Sequence, residues 1–191
     1  MAVREVPGVV PAAFERAVEG LRDVRLRSEV VLTEVPAPQR IAPHSLALTA
    51  DVVLGDAELA TGRFVLLHDP DGQETWEGTF RVVTFVRAEL EPEMGSDPML
   101  GQIGWTWLAE CLEGAGATAT AQGGTVTRVL SESYGALADR PASVEVEVRA
   151  SWSPVGTDLR PHLHGWADLL CTVAGLPPLP PGVAPLQRRA R

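Results

Sequence analysis

Two histidines two residues apart, His162 and His164, and two cysteines, Cys111 and Cys171, are the side chains that most invite chemistry. A His-x-His pair is a familiar way to hold a metal ion. On a helix, however, positions i and i+2 lie about 200° apart around the axis, so the rings point away from one another. His162 falls on the apolar side of a predicted helix and His164 on its polar edge. Neither cysteine belongs to a Cys-x-x-Cys or Cys/His cluster, and both fall in predicted helices as reduced, packed thiols. Glu145 and Glu147 share one face of a predicted strand, the ordinary arrangement of a solvated surface. No Gly-x-Ser-x-Gly elbow occurs, the absence of lysine excludes a P-loop, and no Gly-x-Gly-x-x-Gly follows a strand. These readings predict no catalytic residue, no metal ligand and no cofactor.

The elements that carry these residues look duplicated. The segment GSDPMLGQIGWTWLAECLEG from Gly95 and the segment GTDLRPHLHGWADLLCTVAG from Gly156 align without gaps. They share Gly95/Gly156, Asp97/Asp158, Gly104/Gly165, Trp105/Trp166, Leu108/Leu169 and Gly114/Gly175. In each, an alternating strand meets a Pro/Gly break, and an aspartate N-cap starts a helix that a glycine ends. Val144, Val146, Val148, Ala150 and Trp152 face inward in the second strand, as do Val82, Thr84, Val86, Ala88 and Leu90 in the first. A glycine inside a helix costs about 1 kcal/mol relative to alanine, so Gly104 and Gly165 predict close backbone approach beside a tryptophan packed on the sheet. A cleft between sheet and helices, lined by Trp105, Trp166 and His162, is the small-molecule site this arrangement suggests.

The two helices differ in one respect. Leu159, Leu163, Trp166, Leu170 and Val173 form one ordinary stripe. The helix at 98–113 carries the matching Trp105, Leu108 and Leu112, and Leu100, Ile103, Trp107 and Cys111 on its other side. A helix apolar on two sides must be covered on two sides. Cover from the proline-rich C-terminal segment or the N-terminal helix is favoured, with a second chain as the alternative. Leu100, Ile103 and Trp107 are therefore the candidate partner-binding residues.

Around these units the sequence predicts a helix over residues 11–26 and strands at 45–54, 63–68 and 79–90. Residues 29–35 suit either strand or helix, and Pro36, Pro38 and Pro43 force an extended crossing. Asp69-Pro70-Asp71-Gly72 reads as a turn, and strands at 118–121 and 125–133 flank a kink at Gly123-Gly124. The fold class is α+β: an antiparallel sheet of about five strands, in the order α-βββ-α-ββ-α, with helices on one face. That order resembles the fold of bacterial secretion chaperones and related adaptors, a likeness of element order alone. Residues 1–176 read as one domain, with repeat units at about 79–116 and 118–176 and a Pro-rich, Arg-containing tail at 177–191. With 191 residues, 45% of them hydrophobic, the chain is long enough for one packed core. No apolar run approaches the roughly 18 residues of a membrane span. The N-terminal stretch carries Glu5 and Glu15 and lacks a secretory apolar segment, so a cytoplasmic location is expected. A net charge of −9, all of its 16 basic residues being arginine, makes nucleic acid an improbable partner, the basic tail Gln187-Arg188-Arg189-Ala190-Arg191 reading as a solvated end.

The run Val35-Pro36-Ala37-Pro38-Gln39-Arg40-Ile41-Ala42-Pro43, the Gly-Trp helices and the Leu-Pro-Pro-Leu-Pro-Pro segment resemble an actinobacterial family, over roughly residues 10–182. It is catalogued as domain of unknown function three thousand, and the resemblance implies no activity. The expectation is a non-enzymatic protein-binding or adaptor module, its partner an unidentified protein or a second copy. The alternative is a small-molecule-binding or enzymatic domain using the sheet–helix cleft.

Overall fold

The computed structural model describes residues 10–179. Among these are helix α1 (Ala12–Arg22), strands β1 (Val30–Val35), β2 (His44–Leu54), β3 (Ala57–Gln73) and β4 (Gly78–Leu90), and helix α2 (Leu100–Gly114). Strands β5 (Ala119–Ser131) and β6 (Ser143–Pro154) and helix α3 (Arg160–Val173) complete the order. All pairings are antiparallel, in one six-stranded sheet ordered β1-β2-β3-β4-β6-β5. The fold is α+β, with one strand more than expected. The extra strand is β1, whose short sequence carries no decisive periodicity. Its identity is fixed by β2, which pairs with it from Val30↔Val52 to Val35↔Ala47.

Alternation places the core. Leu46, Leu48, Ala50 and Val52 of β2, Val82, Val86 and Ala88 of β4, and Val144, Val146, Val148, Ala150 and Trp152 of β6 are buried, most of them beneath the helices. Val144–Trp152 thus lies wholly within the sheet. The opposite face is polar over β4 and β6, where Arg149 pairs with Glu147 at 2.6 Å and lies over the Phe85 ring. Part of that face holds a second small cluster of Ala47, Val65, Leu67 and Trp76, against which Val35, Ala37 and Ala42 pack. The proline run at 36–43 therefore serves as cover for the outer sheet face.

Three local expectations shift. Asp69-Pro70-Asp71-Gly72 marks an irregularity inside β3, where pairing is interrupted between His68 and Gln73. The chain reverses later, at Glu74-Thr75-Trp76-Glu77, with Glu77 in the left-handed region. Asp97 and Asp158 accept bonds from the amides of Met99 and Arg160 at 2.8 and 3.1 Å, ahead of the regular helices. The first helix closes on Gly116 rather than Gly114. Gly116 has φ 74°, and Ala117 N–H donates to the Leu112 carbonyl while Gly116 N–H donates to Glu113. Gly175 ends α3 in the same way, with Leu176 N–H donating to Cys171 and Gly175 N–H to Thr172.

The expected difference between the two long helices is reversed. Helix α3 buries Leu159 just ahead of it, then Leu163, Trp166, Leu169, Leu170, Cys171 and Val173, and lies between the sheet, α1 and α2. Helix α2 buries only Leu100, Gly104, Leu108 and Leu112, and α3 meets it at Cys111 and Leu112. Both tryptophans of the Gly-Trp pairs pack on strand glycines. A Cβ at Gly62 of β3 would lie 2.9 Å from the Trp166 ring, and one at Gly124 of β5 would lie 2.8 Å from the Trp105 ring. Their helix glycines do different work. Gly104 faces Val126 of the sheet, whereas Gly165 faces the backbone of α2 at Cys111 and Leu112.

Filling these approaches should be costly. Gly165→Ala puts a methyl 3.0 Å from three α2 atoms, two of them backbone, and should destabilise the fold by about 1–3 kcal/mol. Gly101→Ala, whose methyl meets nothing within 4 Å, should be neutral or stabilising. Chemical denaturation of the two variants measures both.

Candidate functional site

The residues expected to line a sheet–helix cleft do not line one. Trp166 and His162 are fully buried, at 0% and 1% exposure. Trp166 is wedged against Phe64 and Gly62, and its indole N–H finds no acceptor among the described residues. His162 is held by Trp152, whose Nε1–H donates to His162 Nδ1 at 3.0 Å. Burial pushes the His162 pKa down to about 4, so the ring is a neutral acceptor in the core. Trp105 is half-buried over β5, on a different helix. Sheet and helices close on these side chains because a ring fills each strand glycine.

The expected partner-binding set divides as well. Leu100, at 1% exposure, is core and is unavailable to a partner. Ile103 and Trp107 are half-buried and line a shallow hollow with Met99, Gln102, Thr106 and Glu110. Glu110 also lines a second, larger groove of 470 Å³ that sequence reading did not find.

Four parts of the chain build the groove. The α1–β1 loop brings Arg25, Leu26 and Arg27; α2 brings Glu110, Cys111 and Gly114; α3 brings His164, Asp168, Cys171 and Thr172. Leu176, Pro178 and Leu179 close the remaining side. The left-handed turn at Gly175 sends this segment back toward the loop, where Arg27 Nη1 donates to the Pro177 carbonyl at 2.8 Å. Arg27 also pairs with Glu29 at 3.1 Å, its side chain is only 10% exposed, and its buried Nε finds no acceptor among the described residues. Across the groove Cys111 Sγ sits 3.7 Å from Thr172 Oγ1.

Desolvation raises both thiols, Cys111 above its ordinary value and Cys171 up to about 11, so neither is a ready nucleophile at neutral pH. Asp168 is exposed at the mouth, yet partial desolvation by the walls raises its carboxyl, against the pull of His164 and Arg27. Among the described residues no three His, Cys, Asp or Glu side chains gather as a metal site. No described helix is long and apolar enough to cross a membrane.

The sequence of residues 10–184, which includes every part of this groove, matches the family model described as "Protein of unknown function (DUF3000)". The chain belongs to that family. No curated protein and no solved structure matches it. What this DUF3000 member does must therefore be argued from its own geometry. One signal of the groove was present in the sequence. His164, Asp168 and Thr172 recur at i, i+4 and i+8, a polar stripe along one side of an otherwise buried helix.

Two measurements follow from the titrating groups. Unfolded His162 takes up a proton below about pH 6.5, while the folded ring resists until about pH 4, so the unfolded state binds more protons in between. Stability should fall as pH drops through that window, by at most about 1.4 kcal/mol per pH unit. His162→Asn, which retains an acceptor for Trp152 without titrating, should flatten that part of the profile in pH-resolved denaturation. In native protein at neutral pH, both cysteines should react with a disulfide reagent at least about tenfold more slowly than in denaturant.

Proposed function

We propose that this chain is a non-enzymatic binding module whose contact surface is the α2–α3 groove together with the Ile103–Trp107 hollow. The observation that carries this reading is that exposed Glu110 lines both depressions, so the Ile103–Trp107 hollow and the groove adjoin on the outward side of α2. The occupant we infer is a protein segment that brings an apolar side chain to Trp107 and a basic one to Glu110 and Asp168. Charge supports it: Glu110 and Asp168 stand exposed at the mouth, Arg27 is hydrogen-bonded to Glu29 and Pro177, and the chain carries −9. A cytoplasmic partner suits this reading. So does treating β4–α2 and β5–β6–α3 as two copies of one strand–helix unit, the first of which has kept an outward apolar side.

The 470 Å³ volume favours one second reading, a small-molecule site in the same groove. Affinity capture from native lysate separates them. Wild type should retain a partner that Ile103→Asp and Asp168→Arg each lose by at least about tenfold. Equal recovery by all three proteins would rule out this surface. A thermal-shift screen of metabolites tests the second reading, since a ligand at 100 times its dissociation constant adds about 2.7 kcal/mol.

A further inference from the structure

The two edges of the sheet are built differently. Strand β1 is short, at 6 residues, and ends at Pro36. Its Glu34 is clamped by Arg22 of α1, with Nε and Nη2 at 3.1 and 3.0 Å from the carboxylate. Length, charge and proline are the usual means by which a sheet edge is kept from pairing. Strand β5 has few of these guards. It runs for 13 residues, lies at the end of the sheet with β6 as its one neighbour, and is mostly exposed. Between Gly114 and Glu132 the chain carries a single charge, Arg128. That guanidinium is turned away from the edge, donating to the Asp97 carbonyl at 2.6 Å. Among the described residues no segment pairs with the outer side of β5. Leu130 stands 58% exposed near its end.

We propose that β5 is an assembly edge, pairing antiparallel with β5 of a second copy across a two-fold axis at Val126. Charge favours a second copy as the occupant and disfavours one competing register. In a chain of net charge −9, the nearly neutral edge is where two copies meet with least repulsion. With the axis at Val126, Thr125 of each copy faces Thr127 of the other, and Arg128 faces Gly124. An axis at Arg128 would set like charges opposite one another. Thr125 and Thr127 lie on the outer sheet face, paired within the chain to Arg149 and Glu147. The irregularity between Thr120 and Gly123, with Ala121 at φ 48°, bends the edge and ends the pairing segment there. The result is a continuous sheet through both copies, its helices on one side. The proposal does not rest on the groove being a binding site.

Light scattering coupled to size exclusion, over a wide concentration series, tests it. Wild type should show a dimer that dissociates on dilution. The double variant Thr125→Glu, Thr127→Glu brings carboxylates face to face twice and should weaken association by at least about tenfold, with the circular dichroism spectrum unchanged. Thr125→Glu, Thr127→Lys sets opposite charges face to face in that same register, beside Arg149 and Glu147 respectively, and should restore the dimer. A wild type that stays monomeric at every concentration overturns the proposal. So does a dimer indifferent to the Glu/Glu pair, or a Glu/Lys variant that stays dissociated.

Discussion

The rest of the molecule depends on the seating of α3 upon Gly62. The Trp166 ring and Leu170 fill the place where any other residue of β3 would put a side chain, and Phe64 closes on the ring from beside it. A tryptophan can come this close to a strand only where the strand offers no Cβ. Because α3 lies low, it is flanked as well as supported, by α1 on one side and α2 on the other. Gly165 lets the α2 backbone approach at Cys111 and Leu112, which draws the second helix against the first. The order of burial therefore runs sheet, α3, then α2.

This order explains where polar chemistry survives. A histidine on the inner side of α3 is desolvated, and it persists as a neutral acceptor because the Trp152 indole supplies its hydrogen bond. The cysteines become poor nucleophiles for the same reason. Polar groups that stay wet are those on the outward sides of α2 and α3, and the loop after α1 and the segment after α3 enclose them. Arg27 joins those two boundaries by bonding to Glu29 and to the Pro177 carbonyl. The groove is a consequence of helix placement, shaped by chain segments with no regular structure.

The sheet was the most legible part of the sequence. The alternation of Val144 to Trp152 and of Val82 to Leu90 fixed which side of each strand is buried, and the structure places both sets inward. Failures concentrate where a local signal has more than one tertiary use. Asp-Pro-Asp-Gly at 69–72 signals a departure from regular pairing, and whether it becomes a turn or an irregularity depends on the opposite strand. Residues 30–35 are too few to declare a period, so β2 decided their conformation. Leu100 and Ile103 both read as outward apolar residues on α2, and only the position of α3 and the sheet made one core and the other rim.

The sequence alone determined the fold class, the inward faces of the long strands, the two Gly-Trp helices and the absence of any catalytic motif. These follow from periodicity and from backbone chemistry, which are properties of neighbouring residues. Tertiary structure decided which helix is central, that Trp166 and His162 are core, and that Arg27, Glu110, Asp168 and Thr172 share one groove. Those outcomes depend on how closely elements distant in sequence approach, and close approach is set by glycines whose partners no local pattern names. A strand glycine such as Gly62 is read as a weak point until a tryptophan more than a hundred residues away is found lying on it.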